Sequence, residues 1–349
     1  MDKLQKILNR TDFPEAILRR LRPKKTEEGA LSVLSSYQTF KEMYPTHETV
    51  FKKIFETMRL KANDKCQCGY RISMSWKRIY DKKKKRYKMQ FRCKMCKKGH
   101  NVYSPLSFTP LKGAHKPLHQ IMEIIFKLIN DKRGVSASQI EREYGWKYDT
   151  SLDVLHKIRT WMGLSVGLFK FDGNIVECDE TYVDIPTGMG RNVVRTRGLG
   201  SEGKRPVFAI VQRNPRQARA YSIDDANRAT IKPIIEANVS RMIPVYTDGH
   251  SIYKYLTDAG YFHSECNHSQ KQYVVNHTHT NTVESFNGLL KGQLGVTHKG
   301  VSKEHLQKYL DEASFRFSFT YAFDALEALF DALPPMNSKG IIVPNVNLN

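Results

Sequence analysis

Residues 175–184, IVECDETYVD, decide how the rest of this sequence is read. Apolar and polar residues alternate with the period of a strand, and Asp179 falls where its apolar neighbours would bury it. A carboxylate is tolerated there only if a metal or a water-filled cleft receives it. Glu177 shares the face of Asp179 and is a secondary candidate, whereas Glu180 points to the opposite face and is set aside.

Downstream, PVFAIVQR, ARAYSID and MIPVYTD read as further strands, ATIKPIIEANV and HSIYKYLTDAG as helices, with a short strand near Phe262 and a helix TNTVESFNGLLKGQL closing the series. Three strands followed by alternating helix and strand predict an α/β domain built on a mixed sheet flanked by helices. The stretch RNVVRTRGLGSEGKR between the first two strands is rich in Gly and Arg and reads as a loop. Asp248 ends MIPVYTD just before the Gly249 turn, and Glu284 lies in the first turn of the last helix, 36 residues further on, room for a helix, a strand and a return to the same sheet edge. Lys291 follows Glu284 by seven residues, close to two helical turns, so both emerge on one face. Asp179, Asp248 and Glu284 are candidates for the oxygen donors with which two hard cations, Mg²⁺ or Mn²⁺, are clamped in phosphodiester chemistry. Each residue alone also reads as a strand-end cap or a solvated helix pattern.

Upstream lie two cysteine pairs, Cys66 with Cys68 and Cys93 with Cys96, at the bases of a β-hairpin whose tip carries Lys82, Lys83, Lys84, Lys85 and Arg86. Two short pairs on adjacent turns suit a structural Zn²⁺ site, although C-x-C is one residue short and His100 is an alternative fourth ligand; buried or redox-active thiols are the other reading. From Leu118 to Gly163 three helical segments follow, broken at Gly134 and Gly145. They read as a helix-turn-helix with Lys147, Tyr148 and Thr150 at the start of the last helix, where DNA would be met, or as an ordinary three-helix unit. Residues 1–60 carry helical periodicity and no chemical motif.

Lys and Arg outnumber Asp and Glu by 56 to 35, a net charge of +21, which attracts a polyanion, nucleic acid before a membrane surface. No run of about 18 apolar residues occurs and the N-terminus lacks a secretory signal's apolar stretch, so the expectation is a cytoplasmic protein, nucleoid-associated in a bacterium, without membrane contact. No Walker-type phosphate loop and no 20–50-residue repeat is present.

The stretches VECDETYVD, PVYTDGHSIYKYL and above all NHTHTNTVESFNGLLKGQLGVTHKGVSKEHLQKYLDEASFRFS resemble the zinc-ribbon DDE transposases of bacterial insertion sequences, the ISXO type related to Merlin elements; the ribbon and the segment 135–163 are similar too. The resemblance covers roughly residues 60–325. It implies a ribonuclease-H-like catalytic domain with Asp179, Asp248 and Glu284 as metal ligands and Lys291 beside them, and terminal-repeat binding by the N-terminal half. Two departures stand out: the C-x-C pair, and Asn287 where many relatives carry Trp. Some relatives use Asn at the third catalytic position, which keeps Asn281 and Asn287 as alternatives to Glu284. His277, His279, His298 and His305 are candidates to reach DNA or catalytic water, and Arg316 to neutralise phosphate, or else to pack between helices.

The expected organisation is a helical segment over 1–60, a zinc ribbon over 61–104, a helix-turn-helix domain over 105–170, the catalytic domain over 171–335 and a tail over 336–349. The expected partner is double-stranded DNA, both the element's terminal inverted repeats and the target, bound by a homodimer or larger assembly. A metal-dependent, resolvase-like nuclease and a non-catalytic, domesticated DNA-binding protein are the rival readings.

Overall fold

The computed structural model describes residues 33–61, 68, 76–81, 86–92, 95–97, 99–102, 106, 109–185, 204–266 and 279–334. Cys66, Cys93, Lys82, Lys83, Lys84, Lys85, His277, most of the Gly- and Arg-rich stretch, residues 1–32 and the 336–349 tail lie outside the described residues.

Strands β1 (Trp76–Asp81), β2 (Arg86–Arg92) and β3 (Gly99–Val102) form an antiparallel sheet in that order. Asp81 pairs with Arg86 across β1 and β2. Cys68 precedes this hairpin, Cys96 lies in the β2–β3 link, and both are exposed. Lys97, immediately after Cys96, adopts a left-handed backbone (φ 59).

The second sheet has five strands, β4 (Val176–Asp184), β5 (Lys204–Gln212), β6 (Gln217–Ser222), β7 (Pro244–Asp248) and β8 (Phe262–Cys266), in the order β6-β5-β4-β7-β8. β4 to β6 is an antiparallel meander; β7 and β8 run parallel to β4. Helix α6 (Arg228–Asn238) makes the crossover from the β6 edge to β7. The mixed α/β character expected from the sequence is therefore present, and its topology is compatible with a ribonuclease-H-like domain. Alternation sorts the side chains. Cys178, Phe208, Ile210 and Val245 pack against Ile231 and Ile235 of α6 and against Tyr253, while Val207, Ala209, Val211, Ala218 and Ala220 pack on the other face.

That other face is covered by α8 (Asn281–Gly292) and α9 (Leu306–Ser318); between α6 and α8 lies the short α7 (Tyr255–Asp258). The alanines let α9 approach the edge strand closely. Ser318 Oγ, Ser314 Oγ and Gln307 Oε1 accept from the β6 amides of Ala218, Ala220 and Ser222 at 2.9, 3.1 and 3.0 Å. The outward amides of this edge are thus taken by side chains of α9, which opposes the addition of a further strand there.

The remaining helices build one apolar body: α1 (Val33–Met43), α2 (His47–Lys61), α3 (Leu118–Asn130), α4 (Ala137–Tyr144), α5 (Tyr148–Val166) and α10 (Ala322–Asp331). The helical stretch before residue 60 is packed here through Phe40, Val50, Ile54 and Met58 rather than standing apart, and α10 closes the same core with Leu326, Leu329 and Phe330. α4 starts on the Ser136 cap and ends at Gly145, whose left-handed φ of 65 turns the chain into α5. No helix among the described residues is long and apolar enough to cross a membrane.

One buried charge pair ties this body to the sheet. Arg159 of α5 donates through Nε to Glu312 of α9 at 2.7 Å, both side chains fully buried, and its guanidinium lies 3.9 Å over the Tyr309 ring. Arg316 joins Glu312 at 3.3 Å, Gln293 Oε1 at 3.3 Å and the Asp131 carbonyl. Arg316 is therefore buried in helix packing, not presented to phosphate, because α9 turns it inward toward Glu312. Removing one partner of such a pair leaves an uncompensated charge in the interior, whereas removing both for apolar volume does not. Glu312→Ala is expected to destabilise the chain by roughly 3–5 kcal/mol in urea denaturation, and the triple replacement Arg159→Met/Glu312→Leu/Arg316→Met, which removes both cations with their shared carboxylate, to recover most of that loss.

Candidate metal centre

The site begins with a carboxylate that is not at its centre. Glu177, fully buried in β4, accepts from the Thr282 and Val283 backbone N–H groups at 2.8 Å each and from the Thr282 hydroxyl at 2.7 Å. These are first-turn amides of α8, which helices leave without intrahelical acceptors and which favour negative charge. Arg213, at the end of β5, donates to Glu177 at 2.6 Å and also to the His279 carbonyl at 2.8 Å. Both Glu177 oxygens are thereby occupied, and the secondary ligand candidate is a helix cap and ion-pair partner instead.

With the start of α8 held on β4, the next residues of strand and helix come into fixed register. Asp179 lies two residues along the same face, and buried Asn287 donates through Nδ2 to its Oδ2 at 2.8 Å. The β4–β7 ladder ends at Cys178 and Thr247, so Asp179 and Asp248 sit side by side just past the last pairing. Asp248 accepts from the His250 N–H at 3.1 Å, which shapes the turn after β7. Ligand oxygens of Asp179, Glu180 and Asp248 all lie within 4.8 Å of one another.

Glu180 is thus drawn into the cluster from which strand alternation alone excludes it. Its position in β4 does face the Tyr253 side, but β7 ends at Asp248 and leaves the edge of β4 open beyond it. A glutamate is long enough to reach round that open edge. Glu284, in the first turn of α8 on its exposed side, accepts from the Thr280 hydroxyl at 3.1 Å. Its charge acts on both Asp179 and Cys266, but it is not part of the three-carboxylate group. Lys291 is exposed in the last turn of the same helix, and Asn281 is exposed at its start.

Burial, then the neighbouring charges of Asp248 and Glu284, push the Asp179 carboxyl up to about 6, against the Asn287 hydrogen bond. Burial likewise raises Glu180 to about 7, with Asp248 and Asp179 adding to it and the Tyr253 hydroxyl opposing. The Oε1 atom of Glu180 is sealed from solvent without a hydrogen-bond partner. A crowd of half-buried hard oxygen donors, in which burial and then neighbouring charge raise Asp179 and Glu180, fits a divalent cation of the Mg²⁺ or Mn²⁺ type.

The other expected residues are spread differently. His279 lies against Arg213 and Glu177, and His298 and His305 stack with Tyr309 and His156, away from the carboxylates. Lys147, Tyr148 and Thr150 gather at the start of α5, with Lys147 and Tyr148 exposed. Arg213, Tyr253 and Thr282 carry no sequence signal of their own, since each matters only through a partner distant in the chain.

Residues 170–318, from the approach to β4 through α9, match the model of the ISXO2-like transposase domain. An "Uncharacterized transposase-like protein" of Haemophilus influenzae is 32% identical over 96 residues, which span 28% of this chain and 76% of that one. The chain belongs to the ISXO2-like transposase family. Among solved structures, a chain of a simian T-cell lymphotropic virus intasome complex with a PP2A regulatory subunit is similar over 53% of this chain and 66% of its own, just under two thirds, at 14% identity. Its TM-score of 0.26 is too low to bear on the fold. In this family member the matched segment contains the whole carboxylate cluster, the Glu177 cap and α8.

The cap and the cluster each have a measurable consequence. Glu177→Ala leaves the α8 amides and Arg213 without their acceptor, at an expected cost of roughly 3–5 kcal/mol; hydrogen exchange should accelerate first at Thr282 and Val283. Carboxyls whose folded pKa lies above the unfolded value bind extra protons in the native state, so stability falls as pH rises from the unfolded value near 4 through about 6 to 7. Without divalent ions the melting temperature is expected to decline across that window, and millimolar Mg²⁺ or Mn²⁺ to restore it progressively more as pH increases.

Proposed function

We propose that this protein is the transposase of an insertion sequence, binding the element's terminal inverted repeats and catalysing metal-dependent strand cleavage and strand transfer. The observation that carries the reading is the meeting of Asp179, midway along β4, and Asp248, where β7 ends beside it, inside the family-matched segment, with the charge of Glu284 on the neighbouring helix acting on Asp179. The sheet domain is then ribonuclease-H-like in role as well as topology.

Asp179, Asp248 and Glu284 would hold two Mg²⁺ or Mn²⁺ ions, which supply Lewis-acid charge at the attacking and leaving oxygens of an in-line displacement. Asn287 orients the Asp179 carboxylate, and the Glu177 cap holds α8 and its Glu284 against β4. Lys291, exposed in the last turn of the same helix, would be the cation that meets a phosphate. Water first cleaves the phosphodiester at the element end, leaving a 3′-hydroxyl; that hydroxyl then attacks a target phosphodiester, joining to one side and releasing the other 3′-oxygen. No covalent protein–DNA bond is formed.

DNA recognition falls to the N-terminal half. The turn between α4 and α5 leads into Lys147, Tyr148 and Thr150, which would form the start of a recognition helix. Cys66, Cys68, Cys93 and Cys96 would hold a structural Zn²⁺ at the base of the lysine-tipped hairpin, whose Lys82, Lys83, Lys84, Lys85 and Arg86 meet the phosphate backbone. Two element ends must be cut together, which calls for a dimer or larger assembly acting in the cytoplasm.

The test is strand transfer by purified protein with Mg²⁺ or Mn²⁺, labelled DNA ends from the gene's flanks and a plasmid target. Joined product is expected, and Asp248→Ala should reduce it by roughly 10²–10³-fold or more, the equivalent of several kcal/mol of lost charge stabilisation. Cleavage without joining would instead mark a nuclease, and binding with neither reaction a non-catalytic DNA-binding protein.

A further inference from the structure

Two polar atoms beside Asp179 and Asp248 are sealed from solvent and lack hydrogen-bond partners, Glu180 Oε1 and Asn287 Oδ1, while the Tyr253 hydroxyl is buried against Glu180. Buried polar atoms are normally satisfied, so two orphans around one carboxylate cluster call for a common cause. Asn287 is only 5% exposed. Its Nδ2 bonds Asp179 at 2.8 Å, and the unpartnered Oδ1 is carried on the same carbon, so rotation of the carboxamide exchanges the two atoms at Asp179.

Strand alternation brings Asp179 in from the α8 side and Glu180 from the Tyr253 side, and the early end of β7 lets the two meet at Asp248. The result is a cage with donors from both faces of the sheet. Glu284 stands outside that cage, on the exposed side of α8. We propose that Asp179, Glu180 and Asp248, with the Asn287 carboxamide oxygen, form the tight site for the first divalent cation, and that Glu284 is not needed to bind it. This rests on the metal-dependent reading above and assigns the first ion a different ligand set from the Asp179, Asp248 and Glu284 trio.

The carboxamide can serve both states of the site. With Nδ2 toward Asp179 it donates to a carboxylate that has no cation. A half-turn about its terminal torsion, which is soft, exchanges Nδ2 for Oδ1. Without a cation that half-turn sets two oxygens face to face, and with a cation between them it becomes the favoured arrangement. An amide oxygen is a hard donor of the type that Mg²⁺ and Mn²⁺ accept beside carboxylates. Glu180 Oε1, the anionic orphan, gains its counter-charge in the same step.

Mn²⁺ titration of the full chain without DNA, read by the electron paramagnetic resonance of the free ion and by the Mn²⁺-induced rise in melting temperature, tests this. Glu180→Gln should weaken Mn²⁺ binding roughly 10-fold or more, while raising the metal-free melting temperature because a repelled carboxylate has gone. Glu284→Gln should leave the first-ion affinity within about 2-fold, whatever it does to strand transfer. Asn287→Asp should tighten binding, since it places a charged oxygen where the amide oxygen would ligate; an asparagine that served only to hydrogen-bond Asp179 through Nδ2 would give weaker binding on that change.

Unchanged affinity in Glu180→Gln while Asp179→Asn and Asp248→Asn lose it would overturn the proposal and leave the trio intact. So would weaker binding in Asn287→Asp, or a loss in Glu284→Gln equal to that in Glu180→Gln. Failure of wild type to bind Mn²⁺ would overturn the proposal together with the metal-dependent reading. Normal Mn²⁺ behaviour with no strand transfer would uphold the cage and set aside only the transposition chemistry.

Discussion

The geometry of the candidate centre depends on a single tertiary contact, the Glu177 carboxylate of the central strand receiving the first-turn amides of α8. A helix start carries partial positive charge, and a buried carboxylate needs donors on both oxygens; each supplies what the other lacks. The spacing then determines what else can meet. Two residues of strand advance roughly 6.7 Å, and the four to five helical residues from Thr282 and Val283 to Asn287 advance roughly 6–7.5 Å. Asn287 therefore arrives opposite Asp179, and a second hydrogen bond forms one step along the same strand. Arg213 makes the arrangement neutral at its inner end by pairing with Glu177 and holding the His279 carbonyl before the helix begins.

The same logic of paired burial joins the helical body to the sheet. α9 has one side in each core: Leu310 and Ala313 pack on the sheet while Phe315 packs among the helices. Between them sits Glu312, flanked by Arg159 and Arg316. Displacing α5 relative to the sheet requires opening this pair in a region without solvent, which is costly even where forming it contributes little net stability. The start of α5, proposed to meet DNA, and α9, which packs beside the helix bearing Glu284, are thus mechanically continuous through Arg159.

Much of this is legible in the sequence because it depends on local period. The strand around Asp179, the strand ending at Asp248 and the helix bearing Glu284 all follow from alternation or from a 3.6-residue repeat, and the hairpin follows from the alternation on either side of the lysine run. Glu180 escapes such a reading for a physical reason. Alternation governs the direction in which a side chain leaves the backbone, not where a long side chain ends once the neighbouring strand stops. Arg316 shows the complementary case: its charge is plain, but only the inward face of α9 reveals that Glu312, Gln293 and a backbone carbonyl surround it. The packing of α1 and α2 with α10 joins segments nearly 300 residues apart, and no periodic signal spans such a distance.

The contrast between global and local charge follows from the proposed chemistry. The chain carries +21 overall, which draws a polyanion toward it from a distance, yet the residues at the sheet end that would meet the scissile phosphate are carboxylates. Without cations, Asp179, Asp248 and Glu284 repel one another and would repel a phosphate too, so long-range attraction alone cannot seat the substrate. Divalent ions reverse that local sign while leaving the global one unchanged. Under the proposed function the cluster therefore acts as a condition on the substrate: DNA is collected by the basic surface whether or not metal is present, but its backbone is accepted at the carboxylates only when the cations are. The desolvation that raises Asp179 and Glu180 is what makes this condition sharp, since in a solvated site water would screen both the repulsion and its reversal.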